Sequence, residues 1–225
     1  MLDWINVSSR FLSAFICVHL RLKGIVSASQ RPNLRRASRR GIGHCGAMQN
    51  DRRIVNLALI GFMGTGKTSV GRLAAEYLNF EFLDTDELIQ TRTGRTITDI
   101  FAVEGEPAFR ALEQQLVQEL AGRGQLLIAT GGGLPTHAQN LAALKGHALV
   151  VCLWASPEKV WERVCHQGHR PLLNDPDPRR KIRELLAARE PFYKQADVLV
   201  NTDLRTLREV AQQVVHQYRL ARHDF

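Results

Sequence analysis

The chain has 225 residues, 44% of them apolar, which is enough for one domain with a substantial core. Its formal net charge of +8 invites a nucleic-acid or membrane reading, but the charge is concentrated at one end. Eight of the 30 basic residues and one of the 22 acidic residues fall in 1–50, so the remainder carries +1 and gives no support for a nucleic-acid footprint on the main domain. The four cysteines, Cys17, Cys45, Cys152 and Cys165, form no C-x-x-C pair, which points to free thiols in a reducing compartment.

Residues 1–50 are Arg- and Ser-rich, nearly acid-free and without a sustained helix or strand period. Their apolar run, 11–20, is too short to cross a bilayer. Three readings are open: a transit peptide, which would place the protein in a plastid; a disordered basic arm; or sequence upstream of a true start at Met48. The last is favoured, because the composition turns ordinary there. The expected domain is 51–225, and the expected location is the cytoplasm.

Beyond residue 51 strands and helices alternate. Ile54 to Ile60 is a short, β-branched and apolar run that ends at Gly61, as a buried parallel strand does. A helix is expected over 67–78, a strand over 80–83, and helices over 86–92, 97–103 and 106–121, punctuated by Gly94, Gly105 and Gly122. A third strand, 126–130, runs into Gly131, Gly132 and Gly133, and a fourth covers 148–153. Ser156 caps the next helix, with Pro157 at its first position. A polar stretch over 166–178 precedes a helix over 179–189, a strand over 197–200 and a last helix over 204–219. Cys165, His166 and His169 are read as polar loop residues, since no second ligand pair accompanies them. The alternation predicts an α/β fold: a five-stranded parallel sheet flanked by helices on both faces, three layers in all.

The residues 61–68, GFMGTGKT, match G-x-x-x-x-G-K-[ST] between a strand and a helix. In such a loop Gly61, Gly64 and Gly66 let the backbone curl so that successive N–H groups, with those of Thr65 and Ser69, meet phosphate oxygens. Lys67 would reach the β- and γ-phosphates of the nucleotide, and Thr68 would offer its hydroxyl to Mg²⁺. The loop identifies a nucleoside triphosphate, not a reaction.

Three features describe the other substrate. Asp84 and Asp86 follow the second strand, where ligands of open parallel sheets bind. One can hold the metal while the other orients or deprotonates a hydroxyl, and either Asp84 or Thr85 can also cap the helix that follows. Gly131, Gly132 and Gly133 allow close backbone approach at the next strand end. Arginines recur beside distinctive residues: Arg110 with Glu113 one turn on, Arg170 before Pro171, and Arg189 before Pro191 and Tyr193. Guanidinium forks recognise carboxylates.

In combination the phosphate loop, F-L-D-T-D, G-E-x-x-F-R-x-x-E, T-G-G-G, R-P-L-L and R-x-P-x-Y resemble the shikimate kinase family of P-loop kinases over about 53–219. The resemblance implies a P-loop kinase fold with a mobile lid over about 164–174. It implies Asp84 as the Mg²⁺-linked aspartate and Asp86 as the base at the acceptor hydroxyl. Arg110 and Arg189 would grip the shikimate carboxylate, with Glu113 holding Arg110. Gly131, Gly132 and Gly133 would line substrate and γ-phosphate, and Phe101 and Phe109 the ring pocket. Arg170 would close over the transferring phosphate and Arg163 stack near adenine. The implied partners are ATP and shikimate, with no nucleic acid or membrane, and the implied state is a monomer. The stretch Asn201 to Arg205 departs from the family in lacking a proline where the chain closes over adenine. Two other readings share parts of this pattern: a kinase for another small acceptor such as gluconate, and a non-catalytic kinase-like regulator.

Overall fold

A computed structural model describes residues 52–166 and 175–223. The basic segment 1–50 and the greater part of the lid, Arg170 included, lie outside the described residues.

The sheet has five strands: β1 (Asn56–Ile60), β2 (Glu81–Asp84), β3 (Leu126–Ala129), β4 (Ala148–Trp154) and β5 (Val198–Asn201). They lie in the order β2-β3-β1-β4-β5 with every pairing parallel. Successive residues of the central strands bury opposite faces. Leu57, Leu59, Leu127, Val151 and Leu153 enter one core, and Ala58, Ile60, Ile128, Val150 and Cys152 enter the other.

The first core is closed by α1 (Lys67–Leu78) and α8 (Leu207–His223), through Val70, Ala74, Val210, Val214 and Tyr218. α1 lies close to the sheet because Gly71 faces it; a Cβ there would stand 2.6 Å from the Phe82 ring. The second core is closed mainly by α4 (Gly105–Leu120), α5 (Ala138–His147), α6 (Pro157–Val164) and α7 (Pro178–Tyr193). Between β2 and α4 run α2 (Thr85–Thr93) and α3 (Ile97–Val103). Among the described residues no helix is long and apolar enough to cross a membrane.

Four elements differ from expectation. A 3₁₀ turn, Leu134–Thr136, and α5 fill a stretch for which no element was expected. The apolar signal of α5 is short, Leu141 and Leu144, and Gly146 sits in its last turn, so packing rather than propensity holds it. α7 runs through Pro191 to Tyr193 instead of ending at 189, because Tyr193 is wholly buried and draws the last turn onto the core. α8 begins at Leu207 rather than 204; Thr206 and Glu209 exchange backbone and side-chain hydrogen bonds that define its start.

The strand order opens the site. The connection leaving β1 travels toward β2, and the one leaving β4 travels toward β5 on the opposite side. These neighbouring carboxyl ends therefore part to leave a crevice.

Candidate active site

The loop between β1 and α1 lines that crevice. Gly61 has φ +139°, and a Cβ on it would run into the Leu153 carbonyl oxygen at the end of β4, so glycine is required on both counts. Gly64 and Gly66 also have positive φ, and a Cβ on Gly64 would stand 2.7 Å from Val164. Thr65 is buried and donates its hydroxyl to the Phe62 carbonyl at 2.8 Å, pinning the curl. Lys67 Nζ donates to the Gly61 and Phe62 carbonyls, both at 2.9 Å, which holds the ammonium within the loop. Gly66 gives α1 no side-chain cap and the first turn has no acid, leaving a helix start suited to an anion. Ser69 is exposed in that turn. Cys152, behind the loop, is no nucleophile: burial pushes its thiol up to about 12.

The second strand end brings together oxygen atoms that could ligate a metal. Thr68 Oγ1 donates to Asp84 Oδ2 at 3.0 Å, while Asp84 Oδ1 accepts from the Asp86 N–H at 3.0 Å and caps α2. Asp84 thus serves as cap and as partner of the loop threonine together. One hydroxyl and one carboxylate beside a phosphate loop fit Mg²⁺, which binds through one or two carboxylates, phosphates and water. Among the described residues no group of three His, Cys, Asp or Glu could hold a metal by itself.

The glycine turn after β3 joins the two halves of the crevice. A Cβ at Gly132 would lie 3.5 Å from the Gly61 oxygen, 3.7 Å from the Met63 nitrogen and 3.6 Å from a terminal guanidinium nitrogen of Arg189. A Cβ at Gly131 would lie 2.5 Å from Asp86 Oδ1, and one at Gly133 would lie 2.7 Å from Arg110. Asp86, Arg110 and Arg189 therefore converge on three consecutive glycines, of which Gly132 also approaches the phosphate loop at Gly61 and Met63.

α4 aims Arg110. Its terminal nitrogens donate to Glu113 Oε2 and Glu106 Oε1, each at 2.7 Å, and its Nε also donates to Glu106 at 3.1 Å. Glu113 is buried, and desolvation pushes its carboxyl up to about 7 although Arg110 pulls the other way; Asp86 adds to the rise. Arg110 also lies over the Phe109 ring, 5.5 Å from its centroid, and Phe109 packs against Phe101 with centroids 4.9 Å apart. Arg189 stands over Phe62 of the phosphate loop, at 5.6 Å. Arg163 bonds the Gly64 carbonyl at 3.2 Å, the Thr202 hydroxyl at 3.0 Å and the Thr202 carbonyl at 2.7 Å. It straps the phosphate loop to the β5–α8 connection.

For four residues inside its motifs, the sequence indicated no contact. Thr85, fully buried between the two aspartates, accepts the Gly131 N–H at 3.0 Å. Glu106 stands four residues before Arg110, so helical spacing could have found it. Phe62 and Tyr193 gave no signal for their contacts with Arg189 and Gly132, which depend on folding.

Fold and site together define a phosphotransferase of the P-loop kinase class. A sequence model of the family described as "Shikimate kinase" matches residues 63–219. A shikimate kinase of Thermodesulfovibrio yellowstonii is 42% identical over 72% of this chain and 94% of its own length. One of Symbiobacterium thermophilum is 45% identical over 72% and 95%. A solved structure of shikimate kinase from Acinetobacter baumannii in complex with shikimate is 40% identical, covers 76% of this chain and 96% of its own, and has a TM-score of 0.70. The chain belongs to the shikimate kinase family.

Proposed function

We propose that the protein transfers the γ-phosphate of ATP to the 3-hydroxyl of shikimate, giving shikimate 3-phosphate and ADP, a step toward chorismate and the aromatic amino acids. The observation that carries this reading is the glycine turn, where Asp86, Arg110 and Arg189 come together beside the phosphate loop. An acceptor with a carboxylate and a ring hydroxyl suits that arrangement, because the arginines can take the first while Asp86 meets the second.

The chemistry follows from position and charge. Asp86 accepts the hydroxyl proton as the oxygen attacks the γ-phosphorus, and the bond to the β,γ-bridging oxygen breaks. Lys67 and the N–H groups of the loop face the negative charge that spreads over the phosphoryl oxygens. Thr68 and Asp84 would hold Mg²⁺, which would supply further positive charge there. Arg170, outside the described residues, has by the family resemblance the role of adding positive charge at the phosphate and excluding water, which would otherwise take it. Arg163 orders the connection beside adenine. The reading carries with it a cytoplasmic monomer working on two small substrates, with residues 1–47 outside the chemistry.

The test is ADP release from Mg·ATP by the full chain, with and without shikimate, beside Asp86→Asn and Arg110→Ala. Release should depend on shikimate and fall by about a hundredfold or more in each variant, the scale of one positioned catalytic group. Release that ignores shikimate overturns the proposal.

A further inference from the structure

We propose that Tyr193 is a positioning residue for the acceptor carboxylate: its hydroxyl holds the Gly132–Gly133 peptide so that the Gly133 N–H faces the anion. This rests on the reading that the carboxylate lies between Arg110 and Arg189.

Tyr193 ends α7, is fully buried, and donates its hydroxyl to the Gly132 carbonyl at 2.8 Å. No described peptide bond is cis. In a planar trans peptide the carbonyl and the next N–H point in opposite directions. With the Gly132 oxygen turned to Tyr193, the Gly133 N–H is turned away from it, at the residue that abuts Arg110.

The neighbouring peptides have other anchors. The Gly131 N–H donates to Thr85, the Gly131 carbonyl accepts from the Leu134 N–H, and the Gly133 carbonyl accepts from Thr136 through both N–H and hydroxyl. Among the described residues the Gly132 carbonyl has Tyr193 as its partner, and the Gly133 N–H meets no acceptor. A peptide between two glycines meets little steric resistance to flipping, so that one hydroxyl decides its direction. Burial pushes the Tyr193 phenol up to about 12, which keeps it a donor at every working pH. Arg189 lies beside the same hydroxyl.

The experiment compares the full-length wild type with Tyr193→Phe on two acceptors: shikimate, and the analogue whose carboxylate is reduced to a hydroxymethyl group. The variant should raise the KM for shikimate about tenfold, the scale of one charge-assisted hydrogen bond, with the KM for ATP unchanged. It should match the wild type in kcat/KM on the analogue. An equal loss on both acceptors, or an equal rise in both substrates' KM, makes Tyr193 merely structural and overturns the proposal. A wild type that ignores shikimate overturns the functional reading with it. Should the variant fail to fold, the ¹⁵N-labelled wild type decides: the Gly133 amide resonance must move on titration with shikimate and stay in place with the analogue, and any other result overturns the proposal.

Discussion

Glu113 shows how a single residue can serve the site at a cost to the fold. One oxygen holds Arg110; the other, Oε1, is buried with no hydrogen-bond partner among the described residues. Its folded pKa, about 7, stands above the ordinary 4.5. Between those values the folded state binds more protons than the unfolded chain, so this group's contribution to stability declines as pH rises through the window. Glu113→Gln removes that dependence. Its melting temperature relative to wild type should climb between about pH 5 and about pH 8, while the KM for shikimate rises as Arg110 loses its anchor. Difference melting by fluorimetry checks this, and parallel curves would contradict it. Gly131→Ala is a second test at this scale. Its Cβ would press on the Asp86 carboxylate, so kcat should fall about a hundredfold with little change in melting temperature.

At the scale of elements, Arg163 binds α6, the phosphate loop and the β5–α8 connection into one unit. A lysine has the charge but not the fork, and cannot reach both carbonyls together. Arg163→Lys should therefore raise the KM for ATP several-fold and leave the KM for shikimate near wild type, read from steady-state kinetics with each substrate varied in turn. The same scale explains why some elements were legible and others were not. β1, β3 and β4 read clearly because parallel strands buried on two faces are continuously apolar. α5 did not, because Leu141 and Leu144 alone carry its periodicity. The end of α7 was misjudged because Pro191 argues for termination, and only the burial of Tyr193 outweighs it.

For the whole molecule, the end of the sheet away from the phosphate loop bears on stability. Arg52 pairs with both oxygens of Asp197, at 2.8 and 2.7 Å, and also donates to the Ala148 carbonyl. Asp197 in turn accepts the Val150 N–H at 2.8 Å, so the start of the domain is clasped to β4 and to the entry of β5. Arg52→Ala should cost about 2 kcal/mol in denaturant unfolding, through the partly buried carboxylate left behind, with both KM values intact. His147, next to Ala148 at the same end of the sheet, favours its neutral form: burial, and then the nearby Arg52, lower its pKa below 6.5, and its Nδ1 meets the Asn56 amide at 2.9 Å. The unfolded chain then binds the proton more readily, so this group's contribution falls as pH drops below about 6.5. Its effect opposes that of Glu113.

The phosphate loop was legible because its eight consecutive residues must all adopt one backbone shape, and the required glycines, lysine and threonine are local. Asp84 and Asp86 were legible because a strand end followed by a helix start places them. The amino-acid sequence by itself thus determined the fold class, the backbone shape of the phosphate loop and which carboxylates and arginines the candidate site would draw on. Tertiary structure alone decided that Asp86, Arg110 and Arg189 meet at three glycines, and that Tyr193 reaches across 61 positions to Gly132. The physical reason is the strand order: β3 lies between β2 and β1, so the turn after it contacts both neighbouring strand ends, and no local pattern records which strands are neighbours.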